Sequence, residues 1–268
     1  MWRGGVAVIG LSRLGLGCAR IGSFNNPQPL AEGEALVRAA IEMGMRVIDT
    51  ANIYGQGDSE RAIGRALKGR RDDAFLVTKA GQIFSAKMRL MQPLKPLLRP
   101  LLAQRGGGQQ ISARRQGHMG HDWRSTHLVR SLDASLRGLS TDHVDGFLLH
   151  GPSADSLADP AIGEALAALK QAGKARHVGV SCDDVGSVTA ALAMPGVTLL
   201  ELPFDLLGHA VEAARRGIAV LAREVVVLQP VLSPADAIRS AAALPGVSCT
   251  LVGTTRLTNL RAAVEALA

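Results

Sequence analysis

Aromatic side chains are scarce in this chain of 268 residues: one Tyr, two Trp and five Phe, 3% in all. Its core must therefore be packed from Ala, Leu, Val and Gly. Cysteine is scarce too. Cys18, Cys182 and Cys249 are odd in number, far apart and never in a C-x-x-C pair. That excludes a disulfide framework and a zinc site built on thiolates, and it fits a reducing, cytoplasmic setting. No apolar run approaches the ~20 residues needed to cross a bilayer, so no integral membrane segment is expected. The start, "MWRGGVAVIGLSRLGLGCARIGS", has a short apolar stretch interrupted by Arg13, and reads as mature structure rather than a signal peptide.

Acidic residues are absent from one long stretch. Residues 82–121 carry Lys87, Arg89, Lys95, Arg99, Arg105, Arg114 and Arg115 with no Asp or Glu. The net charge of +7 arises entirely there, since the remaining basic residues equal the 23 acidic ones. Pro93, Pro96 and Pro100 break any long helix, and "RGGGQQ" reads as loop. The expectation is a basic, low-complexity insertion on an otherwise neutral body. Its Leu and Met content admits an amphipathic patch or a covering lid, but a rim excursion accounts for most of it. Met88 and Met91 read as gap fillers. No nucleic-acid partner is expected, and oligomeric state is not encoded in any pattern here.

The body alternates short β-branched runs with helical patterns. "SRLGLGCA", "RVIDTA", "AFLVTKA", "VDGFLLHG", "RHVGVSC", "VTLLELPF", "IAVLARE" and "SCTLVGT" read as strands, each followed by a helical stretch. Ser59 is placed to cap the second helix, and Gly44, Gly69, Gly173 and Gly217 follow helix ends. The strands are continuously apolar, as parallel strands covered on both faces should be. Eight strand–helix units in one domain spanning 1–268 predict a (β/α)8 TIM barrel, of the α/β class, with a long basic insertion after the third strand. A doubly wound open sheet is the rival. The Gly-rich "GLGCARIG" is a poor dinucleotide fingerprint, because no helix opens on it and no acidic residue closes the unit.

In such a barrel the site lies at the C-terminal ends of the strands. There the sequence places Asp49, then Tyr54 in the following loop, Lys79 and His150. Each alone has a dull reading as a cap, a rim ring, a solvent-seeking amine or a satisfied imidazole. Together they aim a carboxylate, a phenol, an amine and an imidazole at one cavity. A buried ammonium beside a phenol favours the phenolate and lowers the phenol's pKa. A carboxylate beside the ammonium keeps it charged. Such a phenol serves as general acid toward a carbonyl gaining negative charge. No side chain supplies hydride, so a nicotinamide cofactor is implied.

The segments "DTANIYG", "LVTK", "VDGFLLHGP", "HVGVSC" and "LVGTTRLTNLRAAV" resemble those of the aldo-keto reductase family, over nearly the whole chain except 82–121. The resemblance implies a catalytic tetrad of Asp49, Tyr54, Lys79 and His150. Tyr54 would donate the proton, Lys79 tune it, Asp49 hold Lys79, and His150 orient the carbonyl. It implies NADPH extended across the barrel mouth, with NADH also open. Gly17 and Cys18 on the first strand's rim, Ser181 and Cys182, Glu201, Arg223, Gly253, Thr254, Thr255, Arg256 and Asn259 would bind that cofactor. Ser181 would hold the carboxamide, Arg223 would stack on the nicotinamide, and residues 253–256 would clasp the 2'-phosphate at a helix N-terminus.

This chain departs from the family pattern in three places. Cys182 stands for the usual Asn, Glu201 for the usual Gln, and Asn259, Ala262 and Ala263 occupy positions that often face adenosine. A Glu accepts from the carboxamide but cannot donate, so weaker or less NADPH-selective binding is expected. Trp123 and Phe24 are candidates to line a substrate pocket. "HMGHD", with His118, His121 and Asp122, lacks a third well-placed ligand, and no metal is expected.

These residues predict hydride transfer between NAD(P)H and an aldehyde, ketone or sugar hemiacetal, with dehydrogenation of aldoses or alcohols as the runner-up. A cofactor-binding interaction protein and a Schiff-base aldolase using Lys79 are the rivals outside that chemistry.

Overall fold

The computed structural model describes residues 9–23, 26, 28–84 and 119–268. Eight parallel strands close into a barrel in the order β1, β10, β9, β8, β7, β6, β3, β2. They are β1 (Leu14–Gly17), β2 (Val47–Asp49), β3 (Phe75–Ala80), β6 (Val144–His150), β7 (Ala175–Ser181), β8 (Leu199–Pro203), β9 (Ala219–Arg223) and β10 (Cys249–Gly253). The barrel expectation therefore holds. Helices α1 (Leu30–Glu42), α2 (Asp58–Ala66), α3 (Ser125–Leu139), α5 (Pro160–Gln171), α6 (Val185–Ala193), α7 (Ala210–Arg215), α8 (Pro234–Ala243) and α9 (Leu257–Glu265) stand between and after the strands, with a single turn, α4 (Ala154–Leu157), before α5.

Two apolar layers hold the barrel together. Inside the ring, Val47, Val77, Leu148, Leu199, Leu221 and Leu251 form a small lumen core. Outside it, the opposite strand faces meet the helices in one continuous layer that includes Leu16, Ile48, Leu76, Phe147, Leu128 and Leu132. Few aromatic rings are needed, because both layers interdigitate aliphatic side chains. Asp159, Asp184 and Ser233 cap α5, α6 and α8 through their side chains, which fixes where those helices begin.

Ser59 does not cap α2. The chain enters that helix through Gly57, which is left-handed at φ 86°, so α2 starts at Asp58. Ser59 lies inside the helix, where its hydroxyl donates to the Cys18 carbonyl at 3.1 Å and shares a hydrogen bond with Thr50 Oγ1 at 2.9 Å. It ties α2 to the ends of β1 and β2 instead.

The insertion also differs from the expected loop at both ends. Gln82–Phe84 (β4) and Met119–His121 (β5) pair antiparallel, with Phe84 opposite Met119. The pair is seated on the barrel rim by Trp123. A Cβ at Gly81 would lie 1.8 Å from the Trp123 ring, so the indole rests directly on glycine backbone. The seven basic residues expected of the insertion all lie outside the described residues, as do Met88, Met91, His118 and Phe24.

Candidate active site

The register of the parallel strands assembles the site. Gly17 pairs with Asp49 and also with Gly253, and around the barrel His150 pairs with Ser181, Ser181 with Glu201, and Pro203 with Arg223. All these positions but Glu201, which lies mid-strand in β8, are strand C-terminal ends, so their side chains or backbones converge on one mouth.

Tyr54 reaches that mouth through a compressed turn. Tyr54–Gly57 is one turn of 3-10 helix in which Gly55 and Gln56 both have φ of 58°. A Cβ at Gly55 would come within 2.8 Å of Gly22 and Ile21 backbone. Glycine after the tyrosine is therefore a steric requirement of this loop, and it holds the phenol over β3.

Lys79 has no exposed surface. Its Nζ donates to Asp49 Oδ1 at 2.5 Å and to the Thr50 carbonyl at 3.0 Å. The Tyr54 ring centroid lies 5.3 Å from that nitrogen, and the Tyr54 and His150 rings meet edge-to-face at 5.7 Å. The four expected residues are therefore in one cluster. A fifth joins them: Glu201 Oε2 is 3.1 Å from Lys79 Nζ, and Glu201 is 2% exposed. One ammonium thus faces two buried carboxylates.

The electrostatics follow from that arrangement. Burial alone would pull Lys79 down, but Asp49, Glu201 and Tyr54 hold its ammonium above the ordinary value. Burial also raises Asp49, with Glu201 adding to the rise and Lys79 opposing it. The expectation that Lys79 lowers the Tyr54 phenol fails in sum. Burial is the largest influence and raises it, Lys79 and Arg223 pull it down, and Asp49 and Glu201 push it back up, leaving it above the usual tyrosine range. Lys79 is the strongest of the lowering influences, but burial and the two carboxylates together outweigh it.

His150 is held well below 6.5, first by burial and then by Lys79, Arg223 and His121. The imidazole is neutral in the folded chain at physiological pH. Because its folded value lies below its unfolded one, it contributes stability above about pH 6.5 that is lost as pH falls. Histidine NMR should show the His150 ring still uncharged at about pH 6, where a free histidine is mostly protonated. A ring that titrates normally would contradict this environment.

The expected cofactor residues divide into three groups. Ser181 Oγ donates to Glu201 Oε1 at 3.2 Å, and Arg223 lies beside them, its Nη2 donating to the Cys182 carbonyl at 2.9 Å and to Asp183. Arg223 Nη1 reaches Glu224 at 2.6 Å. Asp183 and Glu224 were not singled out in the sequence, although both adjoin expected residues. Thr254 Oγ1 accepts from Arg256 N at 3.1 Å, shaping the turn before α9, while Thr255, Arg256 and Asn259 lie toward solvent. Gly253 is exposed, and a Cβ there would meet nothing within 4 Å, so its backbone is open to a ligand. Ala263 is buried under α9 and faces away from that surface.

Cys18 and Cys182 behave otherwise. Both thiols are fully buried in the outer core, and only their backbones reach the rim. Cys18 N donates to the Asp49 carbonyl at 2.8 Å. Burial pushes the Cys18 thiol up and the Cys182 thiol up to about 12, so neither is a nucleophile. Asn52 was also missed. Its Oδ1 is buried at the mouth with no hydrogen-bond partner among the described residues, as are His150 Nδ1 and Glu201 Oε2. Of the three, Glu201 Oε2 faces the Lys79 ammonium, whereas Asn52 Oδ1 and His150 Nδ1 have no polar neighbour assigned.

"HMGHD" is put to another use. His121 stacks on Trp123 at 5.4 Å and Asp122 accepts from Arg124. Among the described residues no cluster of three or more His, Cys, Asp or Glu side chains is arranged to hold a metal ion. No helix of the described residues is long and apolar enough to cross a membrane.

Residues 13–224 match the model of the aldo/keto reductase family. The chain belongs to this family. A 6-dehydroglucose reductase of Agrobacterium fabrum is 35% identical over 64% of this chain and 50% of its own length. Methylglyoxal reductase YeaE of Escherichia coli is 30% identical over 60% of this chain and 43% of its own. The chain thus spans about half the length of the curated relatives it matches. Among solved structures, the holo form of aldo-keto reductase AKR11C1 from Bacillus halodurans has a TM-score of 0.76 at 22% identity, covering 96% of this chain and 87% of its own. The putative aldo-keto reductase PA4992 from Pseudomonas aeruginosa scores 0.74 at 25% identity, covering 96% and 91%. The matched span stops at Glu224, but β10 and α9 complete the same barrel beyond it.

Proposed function

We propose that this protein reduces small aldehydes or ketones, including sugar-derived carbonyls, at the expense of NADPH, with Tyr54 as proton donor. The carrying observation is the buried Asp49–Lys79 pair beneath the Tyr54 ring, with neutral His150 edge-on to that ring. The names of two relatives, a 6-dehydroglucose reductase and a methylglyoxal reductase, support the substrate class.

The residues present suit a nicotinamide dinucleotide. The unpartnered atoms of Asn52 and His150 offer polar contacts, Gly253 leaves backbone open, and Arg256 stands at the entry of α9. Such a cofactor supplies the hydride that no side chain can. Ser181, Glu201 and Arg223 would hold its nicotinamide end, and residues Gly253 to Arg256, with Asn259, its phosphate end.

The chain's own residues handle the oxygen. His150, uncharged, hydrogen-bonds the carbonyl oxygen and fixes its direction. The Tyr54 hydroxyl then gives its proton to that oxygen as negative charge develops there. A phenol above its ordinary range is still a stronger acid than an alcohol, whose alkoxide resembles hydroxide with a parent value near ~16. Donation in the reductive sense therefore runs downhill. Lys79 stabilises the phenolate left behind, and Asp49 keeps Lys79 in place.

Fluorescence titration with NADPH and NADH, followed by turnover with methylglyoxal, tests this reading. Arg256→Ala should weaken NADPH by about ten- to a hundredfold and leave NADH nearly unchanged, since a charge-assisted contact to the 2'-phosphate contributes roughly 1.5–3 kcal/mol. Absence of binding to either cofactor at high micromolar levels would overturn the reductase reading.

A further inference from the structure

The negative charge of Glu201, buried against Lys79, has no use in the reading given above. Its Oε1 accepts from Ser181 Oγ at 3.2 Å and lies 3.6 Å from Arg223 Nε. Its Oε2 sits 3.1 Å from Lys79 Nζ as an ion pair, without hydrogen-bond geometry to any group described. A glutamine in the same volume would still accept from Ser181. What the carboxylate adds is negative charge against Lys79, on the side of the ammonium served by β8, while Asp49 holds the β2 side.

We propose that Glu201 is a positioning residue for the proton on Tyr54: by taking a share of the Lys79 charge, it keeps the phenol in its hydroxyl form and sets the site to donate. This rests on the reading of Tyr54 as proton donor given above. The groups facing the Tyr54–Lys79 pair are Asp49 from β2, His150 from β6, Glu201 from β8 and Arg223 from β9, with His121 of β5 acting on His150. Asp49 acts on Tyr54 in the same sense, and Glu201 adds a second negative charge to it that neutral His150 does not supply. Asp49 is already bonded to Lys79 at 2.5 Å, and His150 is uncharged. Arg223 is itself surrounded by Asp183, Glu224 and Glu201, so its positive charge is largely spoken for before it reaches the phenol.

The consequence is directional. With Lys79 shared by two carboxylates, phenolate formation is disfavoured until an alkoxide is present to take the proton. The proton passes from Tyr54 Oη to the substrate oxygen, the O–H bond of the alcohol forms, and the phenolate remains beside Lys79. The reverse reaction, which needs phenolate at the outset, is restrained.

Tyr54 is the only tyrosine in the chain, which makes this measurable without label or cofactor. The near-ultraviolet tyrosinate band of this 268-residue chain reports Tyr54 alone. Alkaline titration of wild type should show ionisation well above the ~10 of a free tyrosine, or only with unfolding. Glu201→Gln should bring it down by about one pH unit, ahead of unfolding followed by circular dichroism, and should move the alkaline limb of carbonyl reduction in the same direction. Wild-type ionisation at or below the free value would overturn the proposal, as would a Gln variant whose band is unmoved or delayed. If Glu201→Gln does not fold, Glu201→Asp draws the charge back from Lys79 by one methylene. It should shift the band the same way by less, and an unmoved band again overturns the role. The band needs no turnover. A shifted band without NADPH-dependent reduction defeats the reductase reading alone, and turnover with an unmoved band defeats the role of Glu201 alone.

Discussion

Tyr54→Phe is expected to reduce carbonyl turnover by about 10²–10⁴-fold, the usual contribution of a positioned general acid, while NADPH affinity stays within a factor of two or so. The substitution keeps the ring. Its edge-to-face contact with His150 and its place 5.3 Å from the Lys79 nitrogen survive, and only the hydroxyl is lost. The compressed turn at Gly55 is untouched, so the rim should keep its shape. Steady-state kinetics beside a cofactor titration separates the two effects. Turnover within tenfold of wild type would show that another group delivers the proton. His150 would then be the next to test, although an imidazole held uncharged is a poor source of one.

Lys79→Met is expected to act on the fold as well as on the chemistry. It leaves Asp49 and Glu201, 4% and 2% exposed, facing each other without the cation between them. Removing one partner of a buried ion cluster costs about 3–5 kcal/mol, because the remaining charge has neither water nor counterion. For a chain of this size that is a fall in melting temperature of about 10 °C or more. The loss should depend on pH with a definite sign. Asp49 already has its folded value raised above the unfolded 3.8, first by burial and then by Glu201. A raised value contributes stability fully at low pH and loses it as pH rises through the folded value. Without Lys79 to oppose the rise, the variant should melt higher at about pH 5 than at about pH 8. Thermal melts at the two pH values measure it. A variant as stable as wild type at both would mean that the carboxylates do not depend on Lys79.

The barrel was legible because its strands are continuous apolar runs and its helices carry regular punctuation. The positions of Asp49, Tyr54, Lys79 and His150 at strand ends followed from that pattern alone. What could not be read was which side chain each would choose. Glu201 is 122 residues from Lys79 in sequence, and only the curl of the closed sheet brings β8 opposite β3. No local signal distinguishes a glutamate destined for a cofactor amide from one leaning on a lysine. The direction of the Tyr54 shift was not legible because it is set first by how deeply the folded barrel buries the phenol, with Asp49 and Glu201 adding to the rise. Cys18 and Cys182 were placed correctly along the chain but on the wrong face. A strand that has just ended no longer alternates predictably, so adjacency to the rim did not imply exposure. Ser59 carried a good cap signature that the left-handed Gly57 overrode. The antiparallel pairing of Gln82–Phe84 with Met119–His121 joins segments too far apart for a hairpin rule to find.

The seam between β1 and β10 sets an order in time. Gly17 lies against Asp49 on one side and Gly253 on the other, so β1, the earliest of the eight barrel strands along the chain, waits for β10, the latest of them. Until β10 has emerged, β1 and β9 each present an unpaired edge, the kind that invites pairing with another chain. The buried cluster of Asp49, Lys79 and Glu201 is encoded before that point, yet its mouth has no closing wall. Synthesis therefore carries a nearly finished but open sheet until the final strand slides between its neighbours, and the protein acquires a pocket and loses its exposed edges in the same event.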